Sequence, residues 1–290
     1  MSIRLQCWLI PIYLLMGSKQ LVAEDTAFRY PLAVAATSDG IVYVADRQLP
    51  GIWKIDSDVR TVYFQASKEL QTPLNAVRCL ALDHEGNLLA GDSSTRDIYR
   101  LNASGSPTPL TNGRIGIPMS ISVAEDGMIY VADLELHRIW KMPAEGSSPP
   151  EELAAINSPR GLSLDTDGNL WVLSTSSESG QIQMIRQDGT VVPFVQGHPF
   201  RLPHSIVRMP DGSFYVTDNY SRCIWSVSSK GGCEKWLQGH PLDRPVGLCR
   251  LHDDLLIADP HIRTIFRVTP DQTVTVLTGS DNQQNVDNAE

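Results

Sequence analysis

Six times in this chain an apolar run ends on one small polar residue. Val42-Tyr43-Val44-Ala45 stops at Asp46, Leu88-Leu89-Ala90-Gly91 at Asp92, and Ile129-Tyr130-Val131-Ala132 at Asp133. Leu170-Trp171-Val172-Leu173 stops at Ser174, Phe214-Tyr215-Val216-Thr217 at Asp218, and Leu255-Leu256-Ile257-Ala258 at Asp259. The intervals are 46, 41, 41, 44 and 41 residues. A continuous apolar strand needs cover on both faces, which one isolated sheet cannot supply.

The flanking residues repeat as well. Ahead of the runs stand Asp39-Gly40, Glu85-Gly86, Asp126-Gly127, Asp167-Gly168 and Asp211-Gly212, with Asp253-Asp254 in the last copy. These are two-residue hairpin turns, where Gly accepts positive φ without steric cost. Before each turn lies an alternating strand such as Ser120 to Ala124, and after each Asp another, such as Ile139-Trp140-Lys141-Met142. A fourth, more variable strand follows most copies, as in Val191 to Val195 and Thr273 to Leu277. A unit of four antiparallel strands repeated at about 40–45 residues predicts a β-propeller, each blade covering its neighbours. Six copies predict an all-β, six-bladed β-propeller of four-stranded antiparallel blades, in one ring.

The pattern Pro-x-x-[Ile/Leu]-x-[Val/Leu], then Asp-Gly-x-[Ile/Leu]-Tyr-Val-Ala-Asp, then Arg-Ile-Trp-[Lys/Arg], spread over Tyr30 to Leu277, resembles the NHL-repeat propellers. The name-giving triplet has its nearest match in Leu136-His137-Arg138. The wider resemblance takes in the gluconolactonase-like propellers and the zinc-dependent amidating lyase. It implies a fold that serves both binding proteins and enzymes.

Residues 1–23 read as an export signal. Arg4 precedes a mostly apolar run of 12 residues, Leu5 to Met16, and Val22-Ala23 offers a cleavage point before Glu24. That run is shorter than the about 20 residues a membrane-spanning helix needs. The propeller is expected over 24–278 and a polar, acidic tail over 279–290. Loss of the two cations Arg4 and Lys19 takes the formal charge from −9 to −11. This acidity argues against nucleic acid or an anionic membrane as partner. The partners expected are a small molecule, a glycan or a protein, met by a monomer, secreted or periplasmic. Asn102-Ala103-Ser104 and Asn219-Tyr220-Ser221 are glycosylation sequons, meaningful in a eukaryotic secretory route. Cys79, Cys223, Cys233 and Cys249 are expected as free thiols, since Cys223 should face about Leu237 across its hairpin.

In a propeller the first strand of each blade lines the channel. The loops entering it, and those joining second to third strands, share one face, here the top. At the top openings of the first strands stand Leu32, Arg78, Met119, Arg160, His204 and Val246. Arg78, Arg160 and His204 there would attract a carboxylate, phosphate or carbonyl group. His198 and His240 lie in the repeated phrase Gln-Gly-His-Pro, and His261 follows Asp259, so all three are expected on the top rim. A divalent metal, zinc or calcium, is one reading of His198, His204 and His240, because converging neutral imidazoles suit zinc. The other reading makes Gly-His-Pro a turn device. The repeated Asp residues are expected to brace their loops, with Arg96, Arg138, Arg222 and Arg263 as partners between blades. Ser174 breaks the repeat, and its loop to Gly180 is the longest of its class. His84 and His252 are expected in solvent at the bottom, where short hairpins leave little room for recognition. Together these features predict a binding scaffold with its site at the top mouth; the alternative is a metal-dependent lactonase-like hydrolase or lyase.

Overall fold

The computed structural model describes residues 27–277 apart from 49, 50, 68, 177 and 179. The proposed export signal and acidic tail lie outside the described residues, as does part of the Ser174 to Gly180 loop. Every regular element is a strand, and the 24 strands form six four-stranded antiparallel sheets. Blade one is β1 Pro31–Ala36, β2 Val42–Asp46, β3 Gly51–Asp56 and β4 Val59–Gln65. Blade two is β5 Val77–Leu82, β6 Leu88–Asp92, β7 Asp97–Leu101 and β8 Pro107–Pro109. Blade three is β9 Pro118–Val123, β10 Ile129–Asp133, β11 Arg138–Met142 and β12 Glu151–Ala155. Blade four is β13 Pro159–Leu164, β14 Leu170–Ser174, β15 Ile182–Ile185 and β16 Val191–Val195. Blade five is β17 Pro203–Arg208, β18 Phe214–Asp218, β19 Cys223–Val227 and β20 Cys233–Gln238. Blade six is β21 Gly247–Leu251, β22 Asp254–Asp259, β23 Thr264–Val268 and β24 Val274–Val276. The expected six-bladed propeller is the fold observed.

The cores lie between blades. Six apolar clusters each draw buried residues from two adjacent blades, as Leu89, Ile98 and Cys79 of blade two meet Ile121, Ile129 and Val131 of blade three. This is why the second strands are apolar on both faces. Each fully buried Ile, Leu or Val contributes about 1.5–3 kcal/mol. The ring closes through Val34, Val44 and Trp53 of blade one against Leu256, Ala258 and Ile265 of blade six. Inner strands β21 and β1 approach so closely there that a methyl at Gly247 would stand 2.6 Å from the Leu32 carbonyl oxygen.

The repeated Asp residues are buried and hold the top loops together. Asp133 accepts from the backbone of Gly116 (2.7 Å), Ile117 (3.1 Å), Glu135 (3.1 Å) and Leu136 (3.0 Å), and from Trp140 Nε1 (2.8 Å). One carboxylate thus ties the loop entering β9 to the loop leaving β10. Asp46, Asp92, Asp218 and Asp259 likewise accept from the loop entering their blade. Blade four does this work with a neutral group: Ser174 Oγ donates to the Asn157 carbonyl and accepts from Ser176 N–H, while Gln181 exchanges two hydrogen bonds with the Phe200 backbone in the loop entering blade five.

Three expectations change in detail. Arg96 meets Glu135, and Arg222 meets Asp243, across blade boundaries, but Arg138 pairs with Glu152 inside its own blade. The turn position held by Arg96, Arg222 and Arg263 is taken in blade three by His137, all four at positive φ. His84 and His252 are exposed yet bridge blades, bonding to the carbonyls of Ala124 and Ser38. The four thiols Cys79, Cys223, Cys233 and Cys249 are free; Cys223 faces Gln238, not Leu237, and Cys233 faces Val227.

Candidate functional site

The channel is lined by β1, β5, β9, β13, β17 and β21 and holds a cavity of about 370 Å³. Its top opening is shaped by a repeated irregularity. Pro31 faces Asp46, but Ala33 already faces Ala45, so Leu32 is an extra, unpaired residue. The same bulge isolates Arg78 between Val77 and Cys79, Met119 between Pro118 and Ser120, and Arg160 between Pro159 and Gly161. In blade five it falls between Pro203 and Ile206, at His204 and Ser205. A bulge redirects the side chain it carries, and here the residue after the strand's first position is turned out of the ladder at the mouth. Blade six shows no such shift, and Val246 donates its backbone N–H to the Ala258 carbonyl.

Three polar groups meet in this ring. Burial lowers the pKa of the His204 imidazole to about 4, with the charges of Arg160 and Arg78 adding to the effect and Asp218 opposing it. Burial also lowers Arg160, with Arg78 adding to it, and lowers Arg78, with Arg47 adding to it. The three side chains therefore share one electrostatic environment. Arg78 Nε donates to Ser93 Oγ at 3.2 Å. Arg160 Nε is buried without a hydrogen-bond partner, and no ion pair joins Arg160 to a carboxylate among the described residues. Asp218, beside His204, is held below the usual carboxylate range. Burial works against its ionisation, but hydrogen bonds from Ser221, Arg201 and Leu202 outweigh it.

The rim histidines stand apart. His198 and His240 are exposed, and so is His261, whose Nδ1 contacts Asp243. None of the three lines the channel cavity, and neither does Arg160, whereas Arg78 and His204 do. Among the described residues no three His, Cys, Asp or Glu side chains group to hold a metal ion, so His198, His204 and His240 do not assemble the site their spacing suggested. The mouth itself is a poor fit to zinc or calcium. It offers one imidazole beside two guanidinium groups that repel a cation.

The neutral state of His204 has a thermodynamic signature. Its folded pKa of about 4 lies below the ordinary 6.5, so the unfolded chain binds more protons between those values. The contribution is fully present above about pH 6.5 and is lost as pH falls through 4. Denaturant unfolding at pH 7 and pH 4.5 should differ by up to about 3 kcal/mol from this group, and His204→Gln should remove that part of the slope. The depressed carboxylates Asp165, Asp211 and Asp218 act in a more acidic window. An unchanged slope in the variant would place His204 in water.

The virginiamycin B lyase family model matches residues 68–286. The chain belongs to that family. No curated protein matches it. Among solved structures, a gluconolactonase from Xanthomonas campestris aligns with TM-score 0.71 at 17% identity, over 87% of each chain. The virginiamycin B lyase of Staphylococcus aureus aligns with TM-score 0.64 at 20% identity, over 89% of this chain and 86% of that one. A catalytically inactive form of that lyase, made by replacing one histidine and solved with quinupristin, aligns with TM-score 0.65 at 18% identity, over 90% and 87%. At such identities the solved structures show a shared fold. Membership in the lyase family places the chain among propellers that include enzymes.

Proposed function

We propose that this chain is an enzyme of the lyase kind, working at the top mouth on an ester- or lactone-bearing substrate. The observation that carries this reading is the meeting of a neutral imidazole with two guanidinium groups on bulged residues in one ring. Membership in the virginiamycin B lyase family supports it, as does the dependence of the S. aureus lyase on a histidine. His204 is the base. It takes a proton from a carbon adjacent to the carbon bearing the ester oxygen; the C–H pair becomes the double bond. The C–O bond then breaks, and the electron pair leaves on the carboxylate. Arg160 and Arg78 receive that charge through paired N–H donors. Arrival of the negative charge offsets the field of both arginines at His204, so the imidazole becomes more basic when it must hold a proton. No step requires a metal, and the mouth does not fit one.

The test is incubation of the purified protein with virginiamycin B and with a panel of simple lactones, followed by mass spectrometry. Elimination opens the ring with no change of mass and creates an alkene; hydrolysis adds one water. Ring opening at constant mass is the expected result. Addition of water would favour the lactonase alternative, and binding without any product would return the chain to the scaffold reading.

A further inference from the structure

The lower end of the channel departs from the rest of its wall. Six positions near the lower ends of the inner strands are equivalent by their partners four residues before the second-strand terminus: Ala36, Leu82, Val123, Leu164, Arg208 and Arg250, each opposite an apolar residue of the second strand. Four are apolar, and two arginines stand side by side in blades five and six. Both line the channel and also a separate cavity of about 740 Å³ on the bottom face. The bottom hairpins are short, yet they wall this space across blades three to five, against the expectation that this face has no room for recognition.

Arg208 is fixed in place. Its backbone N–H donates to Ser163 Oγ at 3.1 Å, and its guanidinium lies 6.0 Å from the centre of the Phe214 ring. Its Nε is buried without a hydrogen-bond partner, and no ion pair involves Arg208 or Arg250 among the described residues. The acidic groups here are otherwise engaged. Asp165 spends its oxygens on Asp167, Asn169 and Trp171, and Asp211, which feels the Arg208 charge, accepts two bonds from Ser213. Glu125, Asp126 and Asp167, from the hairpins of blades three and four, also line this cavity, and none forms an ion pair with either arginine among the described residues. Arg208 is half-buried with its Nε shut off from water, while Arg250 is exposed; a buried donor left unpaired is costly unless an acceptor meets it.

We infer that the lower opening is a second binding site, for a small molecule carrying a carboxylate or phosphate group, held by Arg208 and Arg250. It lies at the other end of the same channel from the top mouth: His204 and Arg208 are four residues apart on β17, at most about 13 Å. Inorganic phosphate and acetate serve as probes, at constant ionic strength made up with chloride. In the Arg78→Met/Arg160→Met protein, titration calorimetry should still show saturable phosphate binding. Adding Arg208→Met with Arg250→Met should weaken it at least about ten-fold. An isotherm that is flat before the lower pair is changed, or unaltered afterwards, overturns the site. Because the upper pair is absent from this assay, the result does not depend on the lyase reading. The unmodified protein supplies a second measurement. Phosphate or acetate should slow phenylglyoxal modification of Arg208 and of exposed Arg250 at least about five-fold, with no slowing at Arg263, which lies outside this cavity; the same slowing factor at all three overturns the site. The two probes rank phosphate against carboxylate.

Discussion

His204→Gln lowers kcat/KM on the cleaved ester by about 10²–10⁴-fold, the usual contribution of a positioned general base. Glutamine keeps the polarity and approximate size of imidazole but cannot take the proton. The loss should fall on kcat, with KM changed little, because His204 acts when the C–H bond breaks. Arg160→Met should instead raise KM as well as lower kcat, since that guanidinium meets the substrate carbonyl before reaction and the carboxylate after it. A second signature separates chemistry from folding. Burial keeps the His204 pKa near 4 in the free protein, so the acid limb of the kcat/KM profile should lie well below the ordinary histidine range. A loss under about ten-fold in His204→Gln would remove this residue from the reaction, whatever becomes of the lyase assignment.

Asp133→Ala should be the most damaging single change to the ring. It strips partners from four backbone N–H groups and the Trp140 indole around a fully buried carboxylate, the Gly116 bond being buried and the other four part-buried. Each orphaned buried donor costs about 1–3 kcal/mol, partly recovered by water. A net loss on the order of 4 kcal/mol is expected, with the melting temperature lower by about 10 °C. Asp133→Ser should recover roughly half of it, because Ser174 serves the equivalent position of blade four with one hydroxyl. A loss below about 1 kcal/mol in Asp133→Ala would mean that the loops hold without the carboxylate. Blade four is also informative for function. The neutral Ser174 and Gln181 close its top, and Arg160, on the strand facing Ser174, is left with a buried unpaired Nε.

Blade number, strand order and the bracing role of the repeated Asp residues were legible in the chain because they follow from local chemistry. Gly at a hairpin turn, an apolar run needing cover on both faces and a carboxylate next to exposed N–H groups act within one unit, and repetition multiplies the signal. Arg78, Arg160 and His204 were read as mouth residues from their place at the top openings of the first strands. Why they leave the ladder was not visible, since a bulge is set by the register between two strands. Rim position did not make His198, His240 and His261 neighbours of the mouth, because loop direction depends on packing between blades. Arg208 and Arg250 read as ordinary alternating strand residues. Ring closure alone sets these two arginines side by side, from blades five and six, at the end of one channel, where burial removes the water that would otherwise solvate the Arg208 Nε.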